Sequence, residues 1–150
     1  MADAFTAVLE ANERYAEGFA LAGLSGTAAR GLAVITCMDS RIEPLAMLGL
    51  KPGDAKIMRN AGARVTEDVL RTLELATREL GVTHVAVVVH TDCAAGKRLR
   101  DQRATLLADL ARIRDEASIS VTYDLIGLCY DVATGRLDVV VPVDEVRAHE

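Results

Sequence analysis

Val82-Thr83-His84-Val85-Ala86-Val87-Val88-Val89 is the strongest strand signal in the chain, and it breaks directly into His90-Thr91-Asp92-Cys93. A β-branched run of strand length without a charged residue reads as a buried strand, of the kind found inside parallel sheets. Leu32–Thr36 is a second such run, and it breaks just as abruptly into Cys37-Met38-Asp39-Ser40-Arg41. In sheets of this kind ligand sites form outside the carboxyl ends of the strands. Two polar clusters at two strand ends therefore belong on one edge.

Outward from these strands, helix and strand signals alternate. Phe5, Val8, Leu9, Tyr15, Ala16 and Phe19 recur at helical spacing, which predicts an amphipathic helix over residues near 3–22. Pro44 opens a short helix ending near Gly49, and Lys51-Pro52-Gly53-Asp54 is a turn before a strand at Ala55–Met58. Thr66 caps a helix running through Leu80, with Glu67 and Asp68 placed against its dipole and Gly81 stopping it. Leu106, Leu107, Leu110 and Ile113 mark another helix over about Ala104–Ala117, and Asp92 reads as a cap for the helix that follows it. Val121–Val132 and Leu137–Val143 flank Ala133-Thr134-Gly135-Arg136 as an antiparallel hairpin. The expectation is an α/β fold: a mainly parallel sheet flanked by helices, closed by that C-terminal hairpin.

The bulk numbers agree and exclude several classes. With 150 residues the chain reads as one domain, 1–150, able to bury a core. Hydrophobic residues make up 51% of it but aromatics only 3%, with no Trp, so Ala, Val, Leu and Ile must build the core. A mean hydropathy of +0.20 leaves apolar surface for a partner subunit to cover. The formal net charge of −5 argues against nucleic acid as a partner, since phosphate contacts need clustered Lys and Arg. The densest basic stretch, Lys97-Arg98-Leu99-Arg100 with Arg103, reads as the solvated start of a helix. No apolar run approaches a bilayer span, so no membrane partner is expected. The N-terminus lacks a basic region followed by an apolar block, and three cysteines cannot all pair, so a reducing cytoplasm is the expected location.

Cys37, His90 and Cys93 offer two thiols and an imidazole, a Cys₂His set that leaves a zinc ion one open position. Structural zinc sites usually close that position with a fourth protein ligand; an open one suits a metal that activates water. Zinc lowers the pKa of bound water from 15.7 to about 7. Asp39 can accept a hydrogen bond from the resulting hydroxide and aim it, while Arg41 can hold Asp39 bidentately and keep it ionised. The plainer reading of Asp39 and Arg41 is an ion pair that ties a loop. For Cys37 or Cys93 taken singly, the plainer reading is a small buried hydrophobe. Cys129, in an alternating strand, reads as core; His84 and His149 read as solvated, though either could relay protons. Arg59 and Asn60 read as turn-fixing residues.

This constellation resembles the β-class carbonic anhydrases, whose hallmark is Cys-x-Asp-x-Arg followed after roughly fifty residues by His-x-x-Cys. Here His90 lies 53 residues after Cys37. The resemblance extends to Arg59-Asn60-Ala61-Gly62 and to Tyr130-Asp131-Val132-Ala133-Thr134-Gly135-Arg136-Leu137, in the family's order. It implies zinc held by Cys37, His90 and Cys93, with Asp39 and Arg41 as the catalytic dyad. The implied reaction is reversible hydration of CO₂ to bicarbonate and a proton by zinc-bound hydroxide. The implied assembly is a homodimer or higher homo-oligomer, with the N-terminal helix (1–22) packed on a partner subunit. Two departures stand out: Ala94 occupies a position where the family usually has Gly, and the stretch from Cys93 to the hairpin is short for the family.

Other readings compete. A hydrolase of CS₂ or COS on the same scaffold would use the same attack with a different pocket, and a catalytically impaired zinc-binding module would keep the metal alone. A phosphate-binding P-loop would need Gly at position 91 and Ser or Thr at 98, where Thr91 and Arg98 stand. A cysteine phosphatase would need His directly before the cysteine and Arg six residues after it, and Leu99 is there instead.

Overall fold

The computed structural model describes residues 3–95, 102–119 and 124–148. In chain order the elements are α1 (Ala4–Glu17), β1 (Leu32–Cys37), α2 (Pro44–Met47), β2 (Ala55–Asn60) and α3 (Glu67–Glu79). They continue with β3 (His84–His90), α4 (Gln102–Asp115), β4 (Asp124–Tyr130), β5 (Leu137–Val141) and α5 (Val143–Arg147). The five strands form one sheet in the order β2-β1-β3-β4-β5. Pairs β1–β2, β1–β3 and β3–β4 are parallel, and β4–β5 is antiparallel. The mainly parallel sheet and its closing hairpin are as the sequence predicts.

This strand order places a topological switch point beside β1, where the connections leave to opposite sides and a crevice opens at the strands' carboxyl ends. Register then fixes what meets there. Cys37 pairs with Asn60 across β1–β2, and Thr36 pairs with Val88 across β1–β3. The last residues of three neighbouring strands, Asn60, Cys37 and His90, thus end on one edge.

Side chains alternate across the sheet, as its pleat requires. Ala33, Ile35, Val85, Val87 and Leu125 face α3 and α4, joining Val69, Leu73, Leu106, Leu110 and Ile113 in the larger core. Gly127 lets α4 approach closely: a Cβ there would lie 2.7 Å from Leu106 Cδ2. Val34, Ala86 and Val88 face the other way, packed by Met47 and Leu48 at α2 and by half-buried Ile57, Ile126 and Leu128.

Helix boundaries follow local chemistry. Thr66 caps α3 by accepting from Val69 N, and Gly81 follows with φ 76°. The first helix is shorter than the spacing predicts, because the chain leaves helical geometry at Gly18 and Phe19 lies beyond it. α1 contains no buried residue; Phe5, Val8, Leu9 and Tyr15 are all exposed. One element escapes the sequence reading: Pro142 ends the strand predicted to Val143 and caps the short α5. Residues 97–100 lie outside the described residues, as does the start of the strand predicted from Val121; Arg103 stands in the first turn of α4 and pairs with Glu145.

Candidate metal centre

The buried end of β1 delivers Cys37, and the buried end of β3 delivers His90; Cys93 follows in the turn after β3 and is also buried. The two sulfurs and a nitrogen of His90 all lie within 4.8 Å of one another. The Sγ atoms are 3.9 Å apart. A disulfide needs about 2.05 Å. Two sulfurs sharing one tetrahedral zinc, each about 2.3 Å from it, would stand roughly 3.8 Å apart. The spacing suits a shared cation.

The imidazole is prepared for such a role. His90 Nδ1 lies 2.7 Å from the carbonyl of Thr91, which can only accept, so Nδ1 carries the proton. Nε2 is then left with a bare lone pair, and it is buried with no hydrogen-bond partner. An unpartnered buried nitrogen costs about 1–3 kcal/mol, which a bound cation would offset. Carbonyl-held imidazoles are the usual arrangement among metal-binding histidines. The donor set fits a soft, four-coordinate divalent ion such as zinc with one position left over.

The loop after β2 supports the thiols. Asn60 closes it on itself, Nδ2 donating to Arg64 O at 2.7 Å and Oδ1 accepting from Arg64 N at 2.8 Å. Inside it, Gly62 and Ala63 take φ values of 86° and 56°. That path directs Gly62 N–H onto Cys37 Sγ at 3.3 Å, which helps fix the sulfur's position. A Cβ on Gly62 would lie 3.2 Å from the Ala95 Cβ, so the glycine also makes room for the loop after Cys93. Arg59 donates to the carbonyls of Cys37 and Asp39 at 2.9 and 2.7 Å, fixing the chain between them, in line with its reading as a turn-fixing residue.

Asp39 stands at the rim. Its Oδ1 accepts from Arg41 N and Nε at 2.9 Å each, and Oδ2 accepts from Arg41 Nη2 at 2.8 Å. Those bonds from Arg41 hold the Asp39 carboxyl well below the usual carboxylate range. Its Oδ2 is 3.9 Å from the orphaned His90 Nε2, so an ionised acceptor borders the thiols and the imidazole. Asp92 departs from its expected role as a helix cap. It takes a left-handed φ of 51°, which is not the extended geometry of an N-cap, and accepts from Arg41.

A narrow cleft of about 20 Å³ opens beside the thiols and the imidazole, lined by Ala63, Val89, His90, Cys93 and Leu106 among others. Its lining includes Asp109, a buried acid that the sequence reading missed. Asp109 accepts from Arg64 Nε and Nη2 at 2.7 and 3.2 Å and from Val65 N at 3.0 Å, tying α4 to the loop after β2. The signal was in the sequence: Asp109 falls within the apolar stripe Leu106, Leu110, Ile113. Cys129 is half-buried in β4, and its thiol is pushed up by burial first, with Asp138 and Asp131 adding to it. His84 sits exposed at the opposite end of β3, about 20 Å away at strand rise, too far to relay a proton. His149 lies outside the described residues.

Comparison with known proteins converges on one family. A carbonic anhydrase family model matches residues 32–123. The chain is 32% identical over 154 aligned residues to beta-carbonic anhydrase 1 of Mycobacterium tuberculosis, covering 87% of this chain and 94% of that one. It superposes on the crystal structure of carbonic anhydrase from Streptococcus mutans with a TM-score of 0.84 at 31% identity, covering 93% and 99% of the two chains. A shorter match, 40% identical over 80 residues, links it to the carbon disulfide hydrolase of Saccharolobus solfataricus, covering 53% of this chain and 39% of that protein.

Proposed function

The chain belongs to the β-carbonic anhydrase family and is a lyase of that type, and from this premise we propose that it catalyses reversible hydration of CO₂ to bicarbonate and a proton. Cys37, His90 and Cys93 would hold zinc, and Asp39 with Arg41 would form the catalytic pair. The observation that carries the reading is the buried, unpartnered His90 Nε2, facing two thiols with an ionised carboxylate alongside. Zinc bound there would supply water acidified to a pKa of about 7.

The chain's own groups account for the rest. The Thr91 carbonyl keeps the His90 proton on Nδ1, and Gly62 N–H donates to Cys37 Sγ and holds it in place. Asp39 is acceptor-only while ionised; it takes a hydrogen bond from the reacting water and turns that oxygen's lone pair toward substrate. Arg41 keeps Asp39 charged and in place. The apolar wall of Ala63, Val89 and Leu106 suits an uncharged apolar substrate such as CO₂ and offers no competing hydrogen bond from those side chains.

Relatives that hydrolyse carbon disulfide raise a second substrate. Coverage favours CO₂: the M. tuberculosis relative is matched over 94% of its length, the S. solfataricus hydrolase over 39%. Exposed Phe5, Val8, Leu9 and Tyr15 on α1 suit a second copy of the chain as the partner that covers them. Among the described residues no helix is long and apolar enough to cross a membrane, and three free cysteines suit a reducing compartment, consistent with a cytoplasmic enzyme.

Stopped-flow CO₂ hydration by the zinc-loaded protein, with COS and CS₂ run in parallel, tests this function. Metal-dependent turnover of CO₂ is expected. Turnover of only the sulfur compounds would reassign the substrate, and zinc binding with no turnover of any would leave a binding module.

A further inference from the structure

Arg41 is shared by two loops. One edge of its guanidinium faces Asp39, as described, and the other meets the loop after β3. Nη1 donates to Asp92 Oδ2 and Nη2 to the Asp92 carbonyl, each at 3.1 Å. Asp92 makes both contacts from a left-handed backbone, φ 51°, a conformation that costs a non-glycine residue energy and that Asp and Asn tolerate better than most. The residue lies immediately before Cys93.

We propose that Asp92 is a positioning residue for the Asp39–Arg41 pair. It fixes the guanidinium from the second loop, so that the Asp39 carboxylate keeps a single orientation beside the ligand atoms. The inference rests on the reading of Asp39 and Arg41 as the catalytic pair. Its physical core is the count of anchors. An Arg41 bound only to Asp39 can move with it as a unit, since its side chain is 43% exposed. Anchored on both edges, it cannot turn without breaking bonds to two chain segments. The Asp92 side chain is 63% exposed, so its direct Coulombic contribution is small and orientation is the larger effect.

The test uses zinc-loaded protein. Asp92→Gly keeps the left-handed backbone and the carbonyl contact but removes the carboxylate; Asp92→Asn keeps an acceptor oxygen without the charge. In CO₂ hydration, Asp92→Gly should lower kcat by about two- to fivefold, the range of an exposed charge pair, with KM unchanged. Asp92→Asn should recover most of that loss. The effect should vanish when Arg41→Lys is already present, as coupled residues require. Independently of turnover, the Arg41 Nε–H resonance, identified by its absence in Arg41→Lys, should exchange with solvent at least about twofold faster in Asp92→Gly, on the same scale. Unchanged exchange, an equal kcat loss in both Arg41 backgrounds, or loss of zinc from Asp92→Gly would each overturn the proposal. A wild type that turns over no CO₂ would defeat the proposed function, and the exchange measurement would still decide the role of Asp92.

Discussion

The sulfurs of Cys37 and Cys93 stand 3.9 Å apart although 56 positions separate them in the chain. Neither residue is brought there by local structure. Cys37 is the last residue of β1, and Cys93 lies three residues past the end of β3, so the parallel pairing of those strands sets the distance. Sheet register is in turn fixed by the buried Val, Ile and Ala faces, because a one-residue slip would invert every side chain. Hydrophobic patterning thus positions a polar site.

Asp39 Oδ2 stands 3.9 Å from His90 Nε2, at the rim of the Cys37–His90–Cys93 group, and its replacement separates two kinds of failure. Asp39→Asn removes the ionised acceptor while leaving the sulfurs and imidazole in place. Turnover should fall by about ten- to a hundredfold, the range seen for groups one step out from a metal, with zinc content unchanged by atomic absorption. Zinc lost together with activity would make Asp39 a ligand instead.

Asp109 should matter more to stability than its place in a helix suggests. Replacing it with Ala strands the buried Val65 N–H and leaves Arg64 without its carboxylate. The Arg64 side chain is 42% exposed and can turn to water, which limits the penalty. We expect a loss of about 2–3 kcal/mol, read as a lower urea midpoint at unchanged slope. A shift below about 0.5 kcal/mol, the level of an ordinary surface substitution, would show that the pair is decorative.

Much of this was legible in the sequence, and the gaps have physical causes. The β1 and β3 strands announced themselves because β-branched runs without charge have few other homes, and the ends of those runs carried the ligand candidates. Thr66 and Gly81 bounded α3 through chemistry local to a few residues. Where the reading failed, the deciding interaction came from elsewhere in the chain. Asp92 looked like a cap for the helix that follows, and it is recruited by Arg41, 51 positions earlier. The Gly62 N–H on Cys37 and the grip of Asp109 on Val65 also depend on loops meeting across the sheet edge. The short α5 was missed because its first residue, Val143, closes an apolar run from Val139 that only Pro142 interrupts.

Cys129 provides a pH-dependent control on the thiols. Burial pushes its pKa upward, and a neutral thiol is a poor nucleophile. At pH 8 its alkylation by iodoacetamide in the folded protein should therefore be slower than in the urea-unfolded chain. The folded rate should still be climbing at a pH where the unfolded chain, with its ordinary thiol, has levelled off. Peptide mass spectrometry across a pH series measures both. Equal rates in the folded and unfolded chains would contradict the burial seen here.

The most direct test of the central claim is zinc-edge X-ray absorption on the protein loaded with one equivalent of zinc. The account predicts two sulfur scatterers at about 2.3 Å, one imidazole nitrogen at about 2.0–2.1 Å, and a fourth light atom from outside the Cys37–His90–Cys93 set. A shell without two sulfurs, or one unchanged by Cys37→Ser, would contradict it.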